Sequence, residues 1–315
     1  MSKKLAVVAF GGNALLRAGQ NGTSEEQIAN VHETCENLTG LLKQDYDVVI
    51  GHGNGPQVGN ILLRNAAGHQ MFGLPLMPLS VCGAYSQGFI GYIIEQQLRN
   101  VLRAHEMYRD VLTLVTQVVV DKSDPAFKNP TKPIGPYYKK DEMEALLKET
   151  PGDTYAEDPK GRGYRKVVAS PIPVEIANKE SVEMLARQGK IVVTIGGGGI
   201  PVRYNENGDL EGIDAVIDKD LASSMLALEI GADELYILTD VPKVFINFNK
   251  PNQQALDVIT VAEAKKHLAD GQFTEGSMAP KVRAALQFIE NGGKKCIITE
   301  SKELGKDNVG TQIVA

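Results

Sequence analysis

Short runs of apolar residues, many of them β-branched, recur along the chain and are separated by longer, more polar segments. Within each run the apolar residues are nearly continuous rather than alternating, which is typical of strands buried on both faces of a parallel sheet. The pattern predicts β-strands over Leu5–Phe10, Val48–Ile50, Val111–Val120, Ile191–Ile195, Leu235–Leu238 and Cys296–Thr299.

Between these runs, apolar residues recur every three or four positions, as they do on one face of a helix. Ser24 and Gln27 form a capping-box pattern at the start of the first such segment. The spacing also predicts a long helix over 84–105. Further helices are predicted to begin at Asn178, at Asp218 or Lys219, at the Thr260–Glu263 capping box and around Pro280. This alternation predicts a doubly wound α/β sheet with helices on both faces.

The segment 121–170 interrupts the alternation, because it is rich in Pro, Gly, Lys and Tyr. So many prolines argue against a central strand or a long helix. The composition leaves two interpretations open: a surface excursion, or a protruding subdomain that covers a binding site. In the second interpretation, Lys132, Arg162 and Arg165 could face an anionic ligand.

Composition narrows the classes of function. The chain has 315 residues, 43% of them hydrophobic, a net charge of −6 and no long basic run, which argues against nucleic acid as the main partner. The cysteines, Cys35, Cys82 and Cys296, lack metal-type spacing, so a reduced, cytoplasmic chain is expected. The N-terminal apolar run is interrupted at Gly11 and is too short for a signal peptide or a membrane span, so no membrane association is predicted.

Three glycine-rich segments directly follow three of the predicted strands: GGNAL (11–15), GHGNGPQVGN (51–60) and GGGGIP (196–201). Any one of them could be a simple tight turn. In an open parallel sheet, however, ligands bind at the carboxyl ends of the strands, and backbone N–H groups of glycine loops bind phosphates and carboxylates. The three loops together predict an anion site. P-loop, dinucleotide-binding, protein-kinase and zinc motifs are absent from the sequence.

Charged residues at two predicted helix starts are candidates for the chemistry. Lys219 and Asp220 lie in VIDKDLASS, and Lys281 lies in the first turn after GSMAP. Asp220 could serve only to cap the N-terminus of its helix, and each lysine could be an ordinary surface residue. A lysine at a helix N-terminus is nevertheless unfavourable for the helix dipole, which favours a functional interpretation.

Eight segments of the sequence resemble one family, the carbamate kinases within the amino acid kinase superfamily. The matches run in order from residue 6 to about residue 290. NPTKPIGP and AVIDKD are the segments that separate this family from acetylglutamate, glutamate and uridylate kinases. The matching segments are VAFGGNAL, GHGNGPQVGN, AYSQGFIGY, FKNPTKPIGP, GRGYRKVV, GGGGIPV, DAVIDKDLAS and GSMAPKVRAA.

The resemblance implies reversible phosphoryl transfer between ATP and carbamate, giving ADP and carbamoyl phosphate, with Mg²⁺. It implies an open αβα sandwich with two lobes and a homodimer formed through the N-terminal lobe. Residues 1–190 would form the lobe that binds carbamate, including a protruding subdomain at about 123–170, and residues 191–315 the lobe that binds the nucleotide. The family's usual physiological direction is ATP synthesis, in arginine breakdown through the deiminase pathway.

The resemblance also assigns roles by motif. Lys132, Lys219 and Asp220 would be catalytic, and Lys219, Asp220, Met278 and Lys281 would contact the nucleotide; no metal ligand is assigned. The residues expected to bind carbamate or carbamoyl phosphate are Gly11, Gly12, Asn13, Gly53, Asn54 and Gly55.

The chemistry is consistent with these roles, because a carbamate oxygen is already an anion and needs no general base. Phosphoryl transfer then depends on positioning and charge stabilisation. His52, inside the second glycine loop, is expected to have a positioning role at most. Two alternatives remain: an amino acid kinase that acts on a larger carboxylate, such as glutamate or acetylglutamate, and a non-catalytic sensor. The sensor would be signalled by loss of Lys132, Lys219 or Lys281, and all three are present.

Overall fold

A computed structural model describes residues 3–158, 161–306 and 308–315. Pro159 and Lys160, in the segment predicted to protrude, lie outside the described residues. The helices, α1 to α8 in chain order, are Ser24–Lys43, Gln57–Phe72, Leu79–Ala104, Lys140–Glu149, Lys179–Arg187, Lys219–Glu229, Val261–Ala269 and Met278–Glu290. The strands, β1 to β17, are Leu5–Phe10, Asp47–His52, Val111–Thr113, Gln117–Val120, Lys132–Tyr138, Thr154–Glu157, Tyr164–Val168, Pro173–Ile176, Ile191–Thr194, Ile200–Tyr204, Leu210–Gly212, Glu234–Thr239, Val244–Ile246, Gln254–Leu256, Val258–Thr260, Lys295–Glu300 and Thr311–Val314.

The central sheet has the strand order β15-β17-β16-β12-β1-β2-β9-β3. Its neighbouring strands are parallel except for β16 and β17. β1 lies in the middle, where Ala6 pairs with Val48 of β2 on one side and with Glu234 of β12 on the other. The sheet is therefore mainly parallel, as predicted, and it joins the two halves of the chain both between β1 and β12 and where β9 pairs with β2 and β3.

Both faces of this sheet are covered, as the continuous apolar runs predict. Alternate residues of β1 point to opposite sides: Leu5 and Val7 belong to a core shared with α6 and α8, whereas Ala6 and Val8 belong to a core shared with α1 and α3. The sheet between two helical layers is an αβα sandwich, which confirms the predicted fold class. No helix among the described residues is long and apolar enough to span a membrane.

Three details of the sequence interpretation were wrong, the first being the start of the long helix predicted over 84–105, which begins at Leu79. The single strand predicted over 111–120 is two strands, because Gln87 binds both backbone groups of Thr116: its Oε1 accepts from the Thr116 N–H and its Nε2 donates to the Thr116 carbonyl. β4 then continues in a second sheet of order β11-β10-β4-β8. The first capping box is formed by Thr23 and Glu26, one residue earlier than expected, with Glu26 also accepting from the Thr23 N–H.

The proline-rich segment forms a small antiparallel sheet of order β5-β7-β6, with α4 between β5 and β6. Pro133 and Pro136 lie on the edge strand β5, where a missing N–H is tolerated, and the middle strand β7 contains no proline. The base of this protruding subdomain is attached to the main body, because Ile134 and Val168 pack with Val58 and Leu79 in one apolar cluster.

Candidate active site

A cavity of about 820 Å³ opens at the carboxyl ends of β1, β2 and β12. It extends from the first glycine loops, past the N-termini of α6 and α8, to the underside of the protruding subdomain. The sequence-predicted site residues that line it are Gly11, Gly12, Asn13, Gly53, Asn54, Gly55, Lys132, Lys219, Asp220 and Lys281. The structure therefore gathers residues from five separate segments around one space.

The third glycine loop supports the second. Gly197 has a φ of +67°, and a Cβ at this position would lie 2.5 Å from the side-chain amide nitrogen, Nδ2, of Asn54. Only glycine adopts this conformation readily and leaves room for the neighbouring side chain. Gly197 also lines the cavity itself, so the loop after β9 contributes bare backbone there, as its position predicted.

Two lysines and one aspartate form a buried cluster at the floor of the cavity, here called the Asp220 cluster. Lys219 and Asp220 open α6, and Lys281 lies in the first turn of α8, which packs against α6. One carboxylate oxygen of Asp220 accepts from Lys219, and the other accepts from Lys281 at 2.8 Å. Asp220 therefore holds two ammonium groups side by side at two helix N-termini.

The electrostatics of this cluster leave it with a net positive charge. Burial pushes the pKa of Asp220 upward, but the two adjacent ammonium groups outweigh burial and lower this pKa to about 2. Burial lowers the pKa of Lys219, and the charge of Lys281 lowers it further, while Asp220 opposes both effects. Two cations against one anion, in a place shielded from water, form a strong binding point for phosphoryl oxygens.

Lys132 reaches the same cavity from the protruding subdomain. Its ammonium group lies 3.4 Å from Oδ2 of Asp218, while Oδ1 of Asp218 caps α6 by accepting from the N–H groups of Asp220 and Leu221. Asp218 thus connects the base of the subdomain to the helix that carries the Asp220 cluster. Sequence reasoning considered Asp218 only as a helix start, although its place in VIDKD beside two predicted site residues was a signal.

Met278 was predicted as a site residue, but in the structure it lies apart from the other predicted site residues. Its side chain is half-buried against the main core, and it is not among the residues that line the cavity. Its neighbours Gly276, Ser277 and Pro280 do line the cavity. Its contact with the nucleotide therefore remains a prediction.

His52 lies behind the second glycine loop, buried between the main-chain segments. Burial lowers its pKa from 6.5 to about 4, with the nearby Lys219 charge acting in the same direction. Its Nδ1 lies 2.7 Å from the carbonyl oxygen of Gly53, and a Cβ on Gly196 would lie 2.5 Å from its Nε2. The neutral ring fills the space between the second and third glycine loops, which is consistent with a positioning role.

Other charged residues around the cavity were not predicted as site residues. Arg17 pairs with Glu33 at 2.9 Å, and Lys302 pairs with Glu300 at 3.0 Å, on the side of the cavity formed by α1 and the end of β16. Asp240 lines the cavity after β12. Arg17 and Lys302 come from segments without a distinctive local pattern, so only the fold reveals that they share the site.

Comparisons with known proteins agree with this geometry. The model of the amino acid kinase family matches residues 4–300. Carbamate kinase of Thermococcus kodakarensis is 48% identical over 315 residues, covering 99% of each chain, and carbamate kinase 2 of Staphylococcus aureus is 49% identical over 311 residues, covering 98% of each. The solved structure of carbamate kinase from Giardia lamblia bound to AMP-PNP is similar over 100% of this chain and 99% of that chain, with 44% identity and a TM-score of 0.93. The chain is therefore a kinase of the amino acid kinase family and belongs to its carbamate kinase group.

Proposed function

We propose that this enzyme transfers a phosphoryl group reversibly between ATP and carbamate, giving ADP and carbamoyl phosphate. The observation that carries the proposal is the arrangement of Lys132, Lys219 and Lys281 around one glycine-lined cavity, with Asp218 and Asp220 between them. Three ammonium groups around one space suit a reaction in which two anions must meet and a phosphoryl group moves from one to the other.

The reaction requires no proton acceptor. A carbamate oxygen attacks the γ-phosphorus of ATP in line, its bond to phosphorus forms, and the bond to the β-phosphate oxygen breaks to release ADP. No proton moves in this step, and the ammonium groups and backbone N–H groups stabilise the charge on the transferred group. A neutral, buried His52 that contacts the loop and does not line the cavity fits this scheme.

We assign the two ends of the cavity to the two substrates. Gly11, Gly12, Asn13, Gly53, Asn54 and Gly55, in the lobe of residues 1–190, would hold carbamate, whereas the start of α8, in the lobe of residues 191–315, would hold the nucleotide phosphates through Lys281. The small, mostly backbone surface of the first group suits an acceptor of four heavy atoms. The Giardia lamblia relative solved with AMP-PNP supports a nucleotide site in this fold.

A Mg²⁺ ion would be held mainly by the nucleotide phosphates. Both carboxylate oxygens of Asp220 are engaged by lysines, and the described residues contain no group of three His, Cys, Asp or Glu side chains placed to bind a metal. Asp218 and Asp240 are further carboxylates of the cavity wall. When bound with the nucleotide, Mg²⁺ would neutralise phosphate charge.

The reaction would run toward ATP synthesis in the cytoplasm, as the last step of arginine breakdown through the deiminase pathway. This direction rests on the family resemblance. Consumption of carbamoyl phosphate and formation of ATP in cell extract, lost on deletion of the gene, would test it.

We also propose a homodimer formed through the N-terminal lobe. Tyr85, Phe89 and Tyr92 form a stripe at helical spacing on α3 and are 49%, 38% and 60% exposed. The end of α2 exposes further large apolar side chains, Met71 and Phe72, and the connection to α3 exposes Leu74 and Leu76. Large exposed apolar side chains that share one face of a protein are typical of an interface. Phe89→Glu is expected to convert the dimer to a monomer in light scattering, whereas Tyr108→Glu, at an exposed aromatic residue outside this stripe, should not.

The experiment that tests the activity mixes the protein with ADP, Mg²⁺ and carbamoyl phosphate and measures ATP. Glutamate and N-acetylglutamate are offered with ATP in parallel, and ADP release is measured. Formation of ATP from carbamoyl phosphate, with no ADP release from the amino acids, is the expected result. Phosphorylation of a larger carboxylate, or no turnover with any acceptor, would overturn the proposal.

A further inference from the structure

Six cationic side chains line the cavity, and they differ in how their charge is compensated. Arg17, Lys132, Lys219, Lys281 and Lys302 each form an ion pair with a carboxylate that also lines the cavity. The sixth is Arg165, on β7 of the protruding subdomain, and within the described part of the chain it has no carboxylate partner. A half-buried guanidinium without a counter-charge is poised for an anionic ligand.

The backbone of the subdomain holds this guanidinium in place. β5 and β7 pair regularly from Lys132–Val168 to Ile134–Lys166 and resume at Tyr138–Tyr164. Three residues of β5, 135 to 137, therefore lie opposite Arg165 alone. Bulges of this kind commonly re-aim a side chain beside an active site.

Both contacts that orient Arg165 come from this bulge. Its Nε donates to the carbonyl oxygen of Gly135 at 3.1 Å, and its guanidinium carbon lies 5.2 Å from the ring centroid of Tyr137. Among the described residues, neither terminal nitrogen has a hydrogen-bond acceptor. The fork of two N–H donors that suits carboxylate and phosphate oxygens is thus left available.

The position of the bulge assigns Arg165 to the carbamate end of the cavity. Gly135 lies against α2, where a Cβ on Gly59 would be 3.2 Å from the Gly135 nitrogen. α2 begins at Gln57, directly after the glycine loop of residues 53–55. The start of α8, assigned above to the nucleotide, belongs to a different segment of the cavity wall.

We propose that Arg165 binds the oxygens of carbamoyl phosphate, or of carbamate and the transferred phosphoryl group, as an anion-binding residue of the subdomain beside Lys132. This inference rests on the proposed function and names a contact that it does not include. Arg162 provides a matched control, because it also stacks on Tyr137, at 4.5 Å, but is exposed, pairs with Asp158 and does not line the cavity.

Steady-state kinetics of ATP formation test the proposal. Arg165→Ala should raise the KM for carbamoyl phosphate about 10- to 100-fold, which corresponds to loss of a hydrogen-bonded charge contact, and should leave the KM for ADP within twofold. Arg165→Lys should keep the fold and lie between wild type and Arg165→Ala, since it keeps the charge but loses the fork. Arg162→Ala should leave both KM values within twofold.

An unchanged KM for carbamoyl phosphate in both Arg165 variants would overturn the proposal. So would equal rises of both KM values, or an equal effect of Arg162→Ala, because either result would indicate damage to the subdomain as a whole. Binding of inorganic sulfate, measured by calorimetry without turnover, separates this inference from the proposed function. Sulfate should bind wild type at least fivefold more tightly than Arg165→Ala even if wild type makes no ATP, and equal binding would count against Arg165.

Discussion

On the floor of the cavity, Asp220 binds two ammonium groups that are only 15% and 14% exposed, whereas across the cavity the subdomain presents Lys132 at 38% exposure. Lys132 is paired with Asp218 at 3.4 Å, and Arg165 has no carboxylate partner in the described residues. The floor charges lie at the starts of two packed helices. The subdomain charges lie on a small sheet attached to the body by one apolar cluster.

This difference separates two tasks. Charges fixed in a buried place stabilise a transition state well, because they need no reorganisation when charge develops. Charges on an attached, more exposed element can exchange a protein carboxylate for a ligand oxygen as the ligand enters and leaves. We infer that the Asp220 cluster serves mainly the chemical step and that the subdomain serves mainly capture of the acceptor.

Lys219→Ala is the strongest test of this difference between the floor of the cavity and the subdomain. Removal of one preorganised donor from the floor should lower kcat about 10³-fold, and the KM for carbamoyl phosphate should change far less. Steady-state kinetics with circular dichroism would measure both the loss and the intact fold. Lys219→Arg, which restores charge in a different shape, should recover only part of the rate. A near-normal kcat in Lys219→Ala would contradict the role of the floor.

The second test removes the shared anion. Asp220→Asn leaves two buried ammonium groups without a counter-charge, so the free energy of unfolding should fall by about 3 kcal/mol in urea denaturation. In the wild type, the folded pKa of Asp220 is about 2 against an ordinary 3.8, so its contribution is complete above pH 4 and is lost as the pH falls toward 2. Asp218→Asn is the comparison, and it should cost less than about 1 kcal/mol, because asparagine caps a helix about as well as aspartate and the ion pair with Lys132 that it removes is partly exposed.

On the subdomain, Lys132→Ala should act on the acceptor more than on the nucleotide. We expect kcat/KM for carbamoyl phosphate to fall about 10²-fold while ADP binding, measured by calorimetry, is retained. Lys140→Ala, which removes an exposed lysine from α4 of the same subdomain, should change neither quantity. If Lys132→Ala weakened ADP binding as much as it lowered kcat/KM for carbamoyl phosphate, the proposed difference between the floor and the subdomain would be contradicted.

The smallest effect is expected at His52, which belongs to neither set of charges. The unfolded chain binds a proton near pH 6.5 and the folded chain only near pH 4, so the folded state is destabilised as the pH falls through this window. Between pH 7 and pH 5 this group should remove about 2 kcal/mol from the free energy of unfolding. His52→Gln should remove that part of the pH dependence, and His69→Gln, at an exposed histidine, should keep it. An unchanged slope in His52→Gln would show that the ring is not responsible.

Much of the fold could be predicted from the sequence, because strands buried on both faces leave continuous apolar runs. β1 was predicted to the residue, and β2, β9, β12 and β16 to within one or two residues at each end. The break near Thr116 could not be predicted, since it depends on the amide of Gln87, which lies far away in the chain. The Thr23 box differed by one residue because two hydroxyl residues, Thr23 and Ser24, stand side by side at the start of α1.

The sequence predicted individual residues of the site but not the contacts between them. Glycine loops after strands signal an anion site locally, and the lysines at helix starts were identified because the helix dipole disfavours them. That Lys281 shares Asp220 with Lys219, or that Lys132 faces Asp218, depends on packing between distant segments. The missing partner of Arg165 could not be read from the sequence at all, because a pattern does not reveal which charge is left uncompensated.

The register of β1 and β12, continuous from Ala6–Glu234 to Ala9–Ile237, has a consequence for any attempt to prepare the two halves separately. If β1 and β12 were produced on separate chains, a central, apolar strand of each half would lose its hydrogen-bonding partner. Unpaired strand edges of this kind associate with other chains. The halves would therefore aggregate rather than fold as independent modules.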